Sequence, residues 1–567
     1  MIRSRGGWAR WFVPACVLLL TLKTTWGALG TFDIGFDDET IYLEAAHWAG
    51  KRFLPLADSS PLYPLWYRAL SVVEPDPVRL YFLNWFVLTA SLPLLLYALA
   101  RRSGAPLAAS AIVAVAWSTS SAVMTWPFVS KFAALVLGLG ALGATLIRDR
   151  RIAAAVTALA LALTAYARAE LAVPSFAFAG VLALWSIWSI GKTFRGPSTR
   201  ARRTQRRRSL LALAICIAAP LGLRAFFGDP HQGGRAFFAF GQHYALNVVE
   251  AKHLTVDPWP IWDRFVREAF PHATTISEAL KENPEAFLWH IRRNASTWSR
   301  ALEELLAPMH HVPWTIERLV TGAVDLVFLG GLVALVFRRE RLDRRFVAWL
   351  PLLAVIALTT MASTLLVYPR EHYLLPLAWL GLAALAAACA RVRLPEWLRP
   401  RWWTSFPRPL RPRAWLGHAA LVAVLLLVLA ALPTRRGALP SLLASQEPPP
   451  PRVHENLRTI EVLRSLDLRG TIPILEPDHS RGLYANLDFV RVAQWDKTGT
   501  FWELVHGRQV AVVVLNWRLR EDPRFKLDPE FVAFAEGTGE REDFQFIPVP
   551  DTSAVLAVRK SVLERGR

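Results

Sequence analysis

The stretch LVLGLGALGATLI, Leu135 to Ile147, contains no charged or strongly polar side chain. Runs like it recur along most of the chain, for example AALVAVLLLVLAALP at Ala419–Pro433. A helix needs about 20 mostly apolar residues to cross a bilayer. The composition agrees: of 567 residues 53% are hydrophobic and 19% charged, against about 25% charged in an average soluble domain. Mean hydropathy is +0.28. The 24 Trp fit anchoring at the membrane–water boundary. The chain therefore reads as an α-helical polytopic membrane protein.

Eleven spans are expected, at about 10–29, 80–100, 105–125, 131–148, 152–167, 171–190, 209–225, 317–337, 346–367, 373–390 and 414–433. The net charge of +20 is not spread evenly. Alternate connections carry it: RSRGGWAR, Arg101–Arg102, RDRR, GKTFRGPSTRARRTQRRRS, RRERLDRR and the 391–413 segment. A nucleic-acid surface would gather its cations on one soluble face. Clusters between spans instead follow the positive-inside rule, which puts the N-terminus in the cytoplasm and, with an odd span count, the C-terminus outside. No nucleic-acid partner is expected. Residues 10–29 read as a retained anchor, because Lys23 interrupts the run and no small-x-small cleavage site follows. Cys16, Cys216 and Cys389 each lie in an apolar run, with neither metal-ligand nor disulfide spacing.

This threading gives a transmembrane domain at 1–433, a Pro-rich linker at 434–453 and a soluble α/β domain at 454–567. In the last, NLRTIEVLRSL has helical spacing, whereas TIPIL, VAVVVL and AVLAVR read as buried strands. Two further outer segments are residues 30–79 and a His- and Trp-rich loop at 226–316. NPEAFLWHIRRN and WSRALEELL in that loop read as amphipathic helices on the membrane. Its histidines match no zinc signature, and Asn294-Ala295-Ser296 matches an N-glycosylation sequon. Nucleotide-binding loops are absent from the sequence, so a nucleotide-driven pump is unsupported.

Three adjacent acids, Asp37, Asp38 and Glu39, open the first outer segment in GFDDETIYLEAAHWAG. Apolar spacing through Ile41, Ala45 and Trp48 predicts a helix, whose N-terminus one acid would cap. After it, Leu62, Leu65, Trp66 and Leu70 fall on one face of a second helix, suited to lying on the outer leaflet. Glu44-x-x-His47 reads as a surface pair one helical turn apart.

Asp38-Glu39-x-x-Tyr42-x-x-x-Ala46, followed by Gly50 and SSPLYPL, resembles the first outer loop of GT-C glycosyltransferases. The nearest group is that of the protein mannosyltransferases and aminoarabinose transferases. The resemblance implies an enzyme that moves a sugar from a polyprenyl-phosphate donor to a lipid, glycan or protein acceptor on the outer face of a membrane. That membrane would be the bacterial inner membrane. It implies a single inverting displacement in which Asp38 takes the acceptor proton, with Glu39 supporting it or binding acceptor. Asp37 shifts that assignment by one position, and the clustered acids could also hold a divalent cation.

The leaving lipid phosphate calls for cations on the same side. Lys131 opens span four in WPFVSKF, Arg168 lies in the turn YARAE, and Arg370 and His372 lie in the turn VYPREHYLLP. The threading puts all four outside. The plainer reading of each is a snorkelling anchor or a local ion pair with Glu170 or Glu371. The competing function is a lipid or sugar transporter or flippase. It would favour ionisable residues at mid-membrane and a repeated half, and neither is evident.

Overall fold

Apolar stretches punctuated by Arg and Pro become helices throughout the chain. The computed structural model describes residues 9–25, 32–36, 38–49, 60–194, 199–230, 235–259, 261–307, 343–389, 414–431, 454–476, 481–493, 500–522, 525–537 and 543–566, with scattered positions between 318 and 331. The first helices in chain order are α1 (Ala9–Thr25), α2 (Asp38–Ala49), α3 (Leu62–Leu70), α4 (Pro77–Arg102), α5 (Leu107–Thr119), α6 (Val129–Leu146) and α7 (Arg150–Ala165). Then come α8 (Ala172–Phe194), α9 (Arg200–Phe227), α10 (Arg235–Ala251), α11 (Trp262–Ala269), α12 (Ile276–Glu282) and α13 (Pro284–Leu306). Further long helices cover Leu350–Leu366, Glu371–Cys389 and Ala414–Ala431.

Five described helices are long and apolar enough to cross a membrane: Pro77–Arg102, Val129–Leu146, Ala169–Phe194, Arg200–Phe227 and Glu371–Cys389. Shorter apolar helices cover Trp11–Thr25, Leu107–Thr119, Leu350–Leu366 and His418–Ala430. The chain is an integral membrane protein. Every expected span except 317–337, most of which lies outside the described residues, falls on a described helix. One boundary differs. The basic stretch 200–208, read as a connection, is the first part of α9, because Thr199 caps Arg202 N at 3.3 Å and Arg is a good helix former.

Contacts divide the chain into two compact units. One comprises Met1–Trp26, Leu56–Tyr63 and Val87–Gln446; the other comprises Gly27–Pro55, Pro64–Phe86 and Glu447–Arg567.

In the larger unit a core forms among α4–α7, α13, Leu350–Leu366 and Glu371–Cys389. Its largest side chains satisfy their polar atoms. Trp379 Nε1 donates to Leu92 O at 3.1 Å, and Trp349 Nε1 donates to Ser103 Oγ at 2.8 Å. Glycines let α6 approach its neighbours, as small residues do between membrane helices. A Cβ at Gly140 would lie 2.2 Å from Ala160 Cβ, and one at Gly138 would lie 2.6 Å from Leu95 and Trp379. By contrast, α8 and α9 turn long apolar side chains outward, among them Leu184 (69% exposed) and Leu221 (61%), as lipid-facing helices do.

The two amphipathic segments expected in the 226–316 loop are one continuous helix, α13. Asn283 caps it through Ala286 N at 3.0 Å and Pro284 occupies its first position, so nothing interrupts the helix between Phe287 and Leu305. Phe240, Tyr244, Phe270 and Phe287 bind α10–α13 into a local core.

The smaller unit contains a mixed five-stranded sheet of order β2-β1-β3-β5-β4. Its strands are β1 (Ile472–Glu476), β2 (Phe489–Ala493), β3 (Val512–Leu515), β4 (Phe544–Pro548) and β5 (Val555–Arg559). β1 runs parallel to β2 and β3, while β5 is antiparallel to β3 and β4. TIPIL, VAVVVL and AVLAVR are the strands β1, β3 and β5, and the helix expected at NLRTIEVLRSL is Glu455–Ser465. Helices Phe501–Gly507 and Pro529–Ala535 supply Phe501, Trp502, Phe531 and Phe534 to the core on the sheet.

Candidate active site

In the smaller unit α2 begins at Asp38, with Asp38 and Glu39 in its first turn, where the helix dipole favours negative charge. The two acids differ in environment. Glu39 is fully buried. Its Oε1 accepts the Tyr67 hydroxyl at 2.5 Å and Asn84 Nδ2 at 3.3 Å. Asn84 is itself oriented by Trp66 Nε1, which donates to its Oδ1 at 2.8 Å. Burying a carboxylate is unfavourable unless hydrogen bonds replace water, and Tyr67 and Asn84 supply them. Asp38 is half-buried. Asp37 lies outside the described residues.

The expected apolar face of α2 is not the one that packs. Ile41 and Trp48 are exposed, whereas Tyr42, Leu43 and Ala46 are buried beside Glu39. The buried face is set by where Glu39 finds its donors, so a stripe chosen by apolarity alone points the other way. Trp48 Nε1 reaches Glu44 at 3.4 Å along the same exposed side as His47. On α3 likewise, Tyr63 and Tyr67 are fully buried, while Leu62, Leu65, Trp66 and Leu70 are half-buried.

The strand-bearing residues hold this acidic segment. Thr40 Oγ1 and the Tyr484 hydroxyl lie 3.2 Å apart, and the rings of Phe36 and Tyr484 are 5.6 Å apart. The Arg481 guanidinium lies 4.4 Å over Phe36. The Tyr81 hydroxyl accepts Gly35 N at 3.1 Å.

In the larger unit the four cationic candidates come together. α6 and α7 run antiparallel, so the start of α6 meets the turn after α7. Lys131 is almost wholly buried, donating to the Val123 carbonyl and to Thr89 Oγ1 at 3.2 Å. It is not a snorkelling side chain. Arg168 donates through Nη1 to Ser130 Oγ at 2.5 Å, beside Lys131, and through Nε to Glu170 at 2.6 Å. Its guanidinium covers the Tyr373 ring at 4.8 Å. His372, also buried, packs on Tyr373 at 4.2 Å and lies within electrostatic reach of Arg168, Arg370 and His243. Arg370 covers the Trp259 ring at 4.8 Å.

One participant, His243, had no signal in the sequence beyond its residue type. His243 of α10 stacks on Tyr368 at 5.5 Å and meets Trp259 edge-on at 5.5 Å. Burial, then the charge of Arg370, lowers its pKa from 6.5 to about 3. Its Nδ1 bonds the Ala239 carbonyl at 2.8 Å, and its buried Nε2 has no hydrogen-bond partner among the described residues. Behind it, Asn247 links His290 at 2.9 Å to Asn294 at 2.8 Å. Asn294 donates to Leu365 O at 2.8 Å and Val367 O at 3.2 Å. This network fixes the turn that carries Tyr368 and Arg370. It also buries the sequon asparagine completely.

Among the described residues, no three His, Cys, Asp or Glu side chains are grouped to hold a metal ion.

Neither a family model nor a curated protein matches the sequence. Two solved structures resemble the chain at low similarity. One is the archaeal oligosaccharyltransferase AglB from Archaeoglobus fulgidus, in complex with an inhibitory peptide and a dolichol-phosphate, at 12% identity and TM-score 0.38 over 98% of this chain and 74% of that one. The other is ArnT from Cupriavidus metallidurans bound to undecaprenyl phosphate, at 13% identity and TM-score 0.34 over 99% of both chains.

Proposed function

We propose that the chain is a GT-C-type glycosyltransferase that moves a sugar from a polyprenyl-phosphate donor to an acceptor hydroxyl on the outer face of a bacterial inner membrane. The N-terminus is then cytoplasmic and residues 454–567 form an outer domain. The observation that carries this reading is the convergence of Lys131, Arg168, Arg370 and His372. Ser130, the chain neighbour of Lys131, accepts from Arg168, whose guanidinium covers Tyr373 beside His372, and His372 lies within electrostatic reach of both Arg168 and Arg370. The buried Lys131 and Arg168, with the half-buried Arg370 over its aromatic ring, suit a phosphate that gains negative charge as it leaves. The Arg fork suits its geometry.

In the proposed step the acceptor oxygen attacks the anomeric carbon while Asp38 takes its proton. The bond from that carbon to the phosphate oxygen breaks, and its electron pair leaves with the lipid phosphate. The anomeric centre inverts. Asp38 suits the base role because it is the more accessible acid of the first turn. Glu39 is held by Tyr67 and Asn84 and acts as a positioning residue.

The test is binding of undecaprenyl phosphate to the reconstituted full chain. Wild type should retain it, and Arg168→Ala with Arg370→Ala should lose it while still inserting and melting normally. Equal retention by both would remove the phosphate assignment.

A further inference from the structure

α7 has a second cationic site at the end opposite Arg168. The helix has 16 residues, so about 24 Å of helix separates the two ends. There, a cavity of about 640 Å³ opens between the first turns of α7 and α9, lined by Asp149, Arg151, Arg200, Thr204, Gln205 and Arg208. That volume lies within the range of small-molecule sites, about 300–1,000 Å³.

The charges do not cancel within it. The single acid is already engaged. Asp149 Oδ1 caps α7 through Arg151 N at 3.0 Å and Ile152 N at 3.4 Å, and its Oδ2 accepts Arg208 at 3.2 Å. Arg151 and Arg200 remain as excess positive charge. Arg151 Nε is buried without a hydrogen-bond partner among the described residues, its guanidinium 5.5 Å over Trp185. The N-termini of α7 and α9 add the positive ends of two helix dipoles.

The surroundings mark the depth of the site in the membrane. α9 changes from basic to apolar at Ser209–Leu210, directly after Arg208, and Leu210 and Leu211 are 44% and 50% exposed. Nearby on α8, exposed Trp188 and Phe194 carry Lys192 at 3.7 Å and Arg206 at 4.0 Å over their rings. Such cation–aromatic pairs belong at the headgroup level.

We propose that this cavity is a phosphate-binding site at the membrane–water boundary, with an anionic phospholipid headgroup as the ligand its depth favours. The site is independent of the sugar-transfer reading. Basic pockets between helices at this level suit anionic headgroups.

Native mass spectrometry of the full chain tests it, with phosphatidylglycerol, phosphatidylcholine and inorganic phosphate as probes. Wild type should keep phosphatidylglycerol in preference to phosphatidylcholine. Arg151→Gln combined with Arg200→Gln should reduce that retention about tenfold, equivalent to about 1.4 kcal/mol. The charge-matched pair Arg203→Gln and Arg207→Gln, exposed and outside the lining, should not. If the first pair misfolds, Thr204→Glu puts a carboxylate at the cavity without removing an arginine and should give the same loss. Displacement by inorganic phosphate with no preference between the lipids would keep the phosphate site and make its ligand a soluble phosphate ester. Equal lipid retention in lining and control variants, with no phosphate binding, would overturn the proposal.

Discussion

Asp33 caps a helix that begins at the other end of the sequence. Its carboxylate accepts Asn456 N at 2.8 Å and Leu457 N at 3.0 Å, across a separation of 423 residues for the first. Helix Glu455–Ser465 has no side-chain cap of its own, since His454 at its N-cap makes no such bond. Asn456 Nδ2 returns a bond to Ile34 O at 2.8 Å. The acidic segment and the C-terminal sheet thus fold as parts of one unit. Asp33→Ala should lower the stability of this unit by about 1 kcal/mol, the usual cost of a lost cap. Hydrogen exchange at Asn456 and Leu457 should speed up first, and Asp33→Asn should restore part of the protection. Unchanged exchange at these amides would show that water replaces the cap.

The two acids of α2 should separate on mutation. Asp38→Asn should reduce sugar transfer by about 10²-fold or more, the range for a lost general base, with melting unchanged. Glu39→Gln leaves the Tyr67 hydroxyl facing an amide in a fully buried site, so it should lower the melting temperature. The comparison needs transfer rates and thermal melts on the same preparations. Normal stability in Glu39→Gln together with lost transfer would move the base to Glu39.

Arg168→Lys keeps the charge but not the fork that spans Ser130 and Glu170. Donor KM should rise while acceptor KM stays within about twofold, a shift of about 0.4 kcal/mol or less. Steady-state kinetics with each substrate varied in turn read this directly. Equal effects on both KM values would point to a structural role for the turn.

Stability should fall as pH drops below neutrality. His243 and His290 are held neutral by burial, with pKa values of about 3 and about 4 against 6.5 ordinarily. An unfolded chain protonates them near 6.5, so their contribution is complete above that value and is lost as pH falls toward 4 and then 3. Melting temperature measured from pH 7.5 to 5 should decline, and His243→Phe, which keeps the ring stack, should flatten the decline. A profile identical in both proteins would mean that burial does not lower the pKa of His243 in the folded chain.

Much of this architecture was legible because membrane helices depend on composition over long windows. The leaving phosphate implied by the resemblance singled out Lys131, Arg168, Arg370 and His372; the α6–α7 pair brings the segments of Lys131 and Arg168 together, and Tyr373 brings the turn of Arg370 and His372 to Arg168. His243 was not legible in the same way. Its setting depends on Tyr368, far away in sequence, and on Trp259 beyond the end of its own helix, and its spacing to other histidines was uninformative. The face of α2 was misread for a related reason. Periodicity ranks positions by apolarity, but Glu39 is drawn inward by donors on α3 and α4 that no local window contains. The strands of the smaller unit were only partly visible. β3 is VVVL and entirely buried, whereas β4, FQFIP, has a single buried position, Phe544, followed by exposed and half-buried ones.

The buried Asn294 also bears on how this protein can be produced. With the 226–316 segment on the outer face, as proposed, a secretory host that glycosylates Asn-x-Ser would meet it before α13 has packed, and a glycan there could not follow Asn294 into its place between Asn247 and the Leu365 and Val367 carbonyls. A glycosylated molecule in such a host is therefore one that has missed its fold, and the fraction carrying sugar measures misassembly. Among the described residues, Ser296 bonds within its own helix, to Arg293 O at 2.7 Å. Ser296→Ala would erase the acceptor signal and leave the asparagine network untouched.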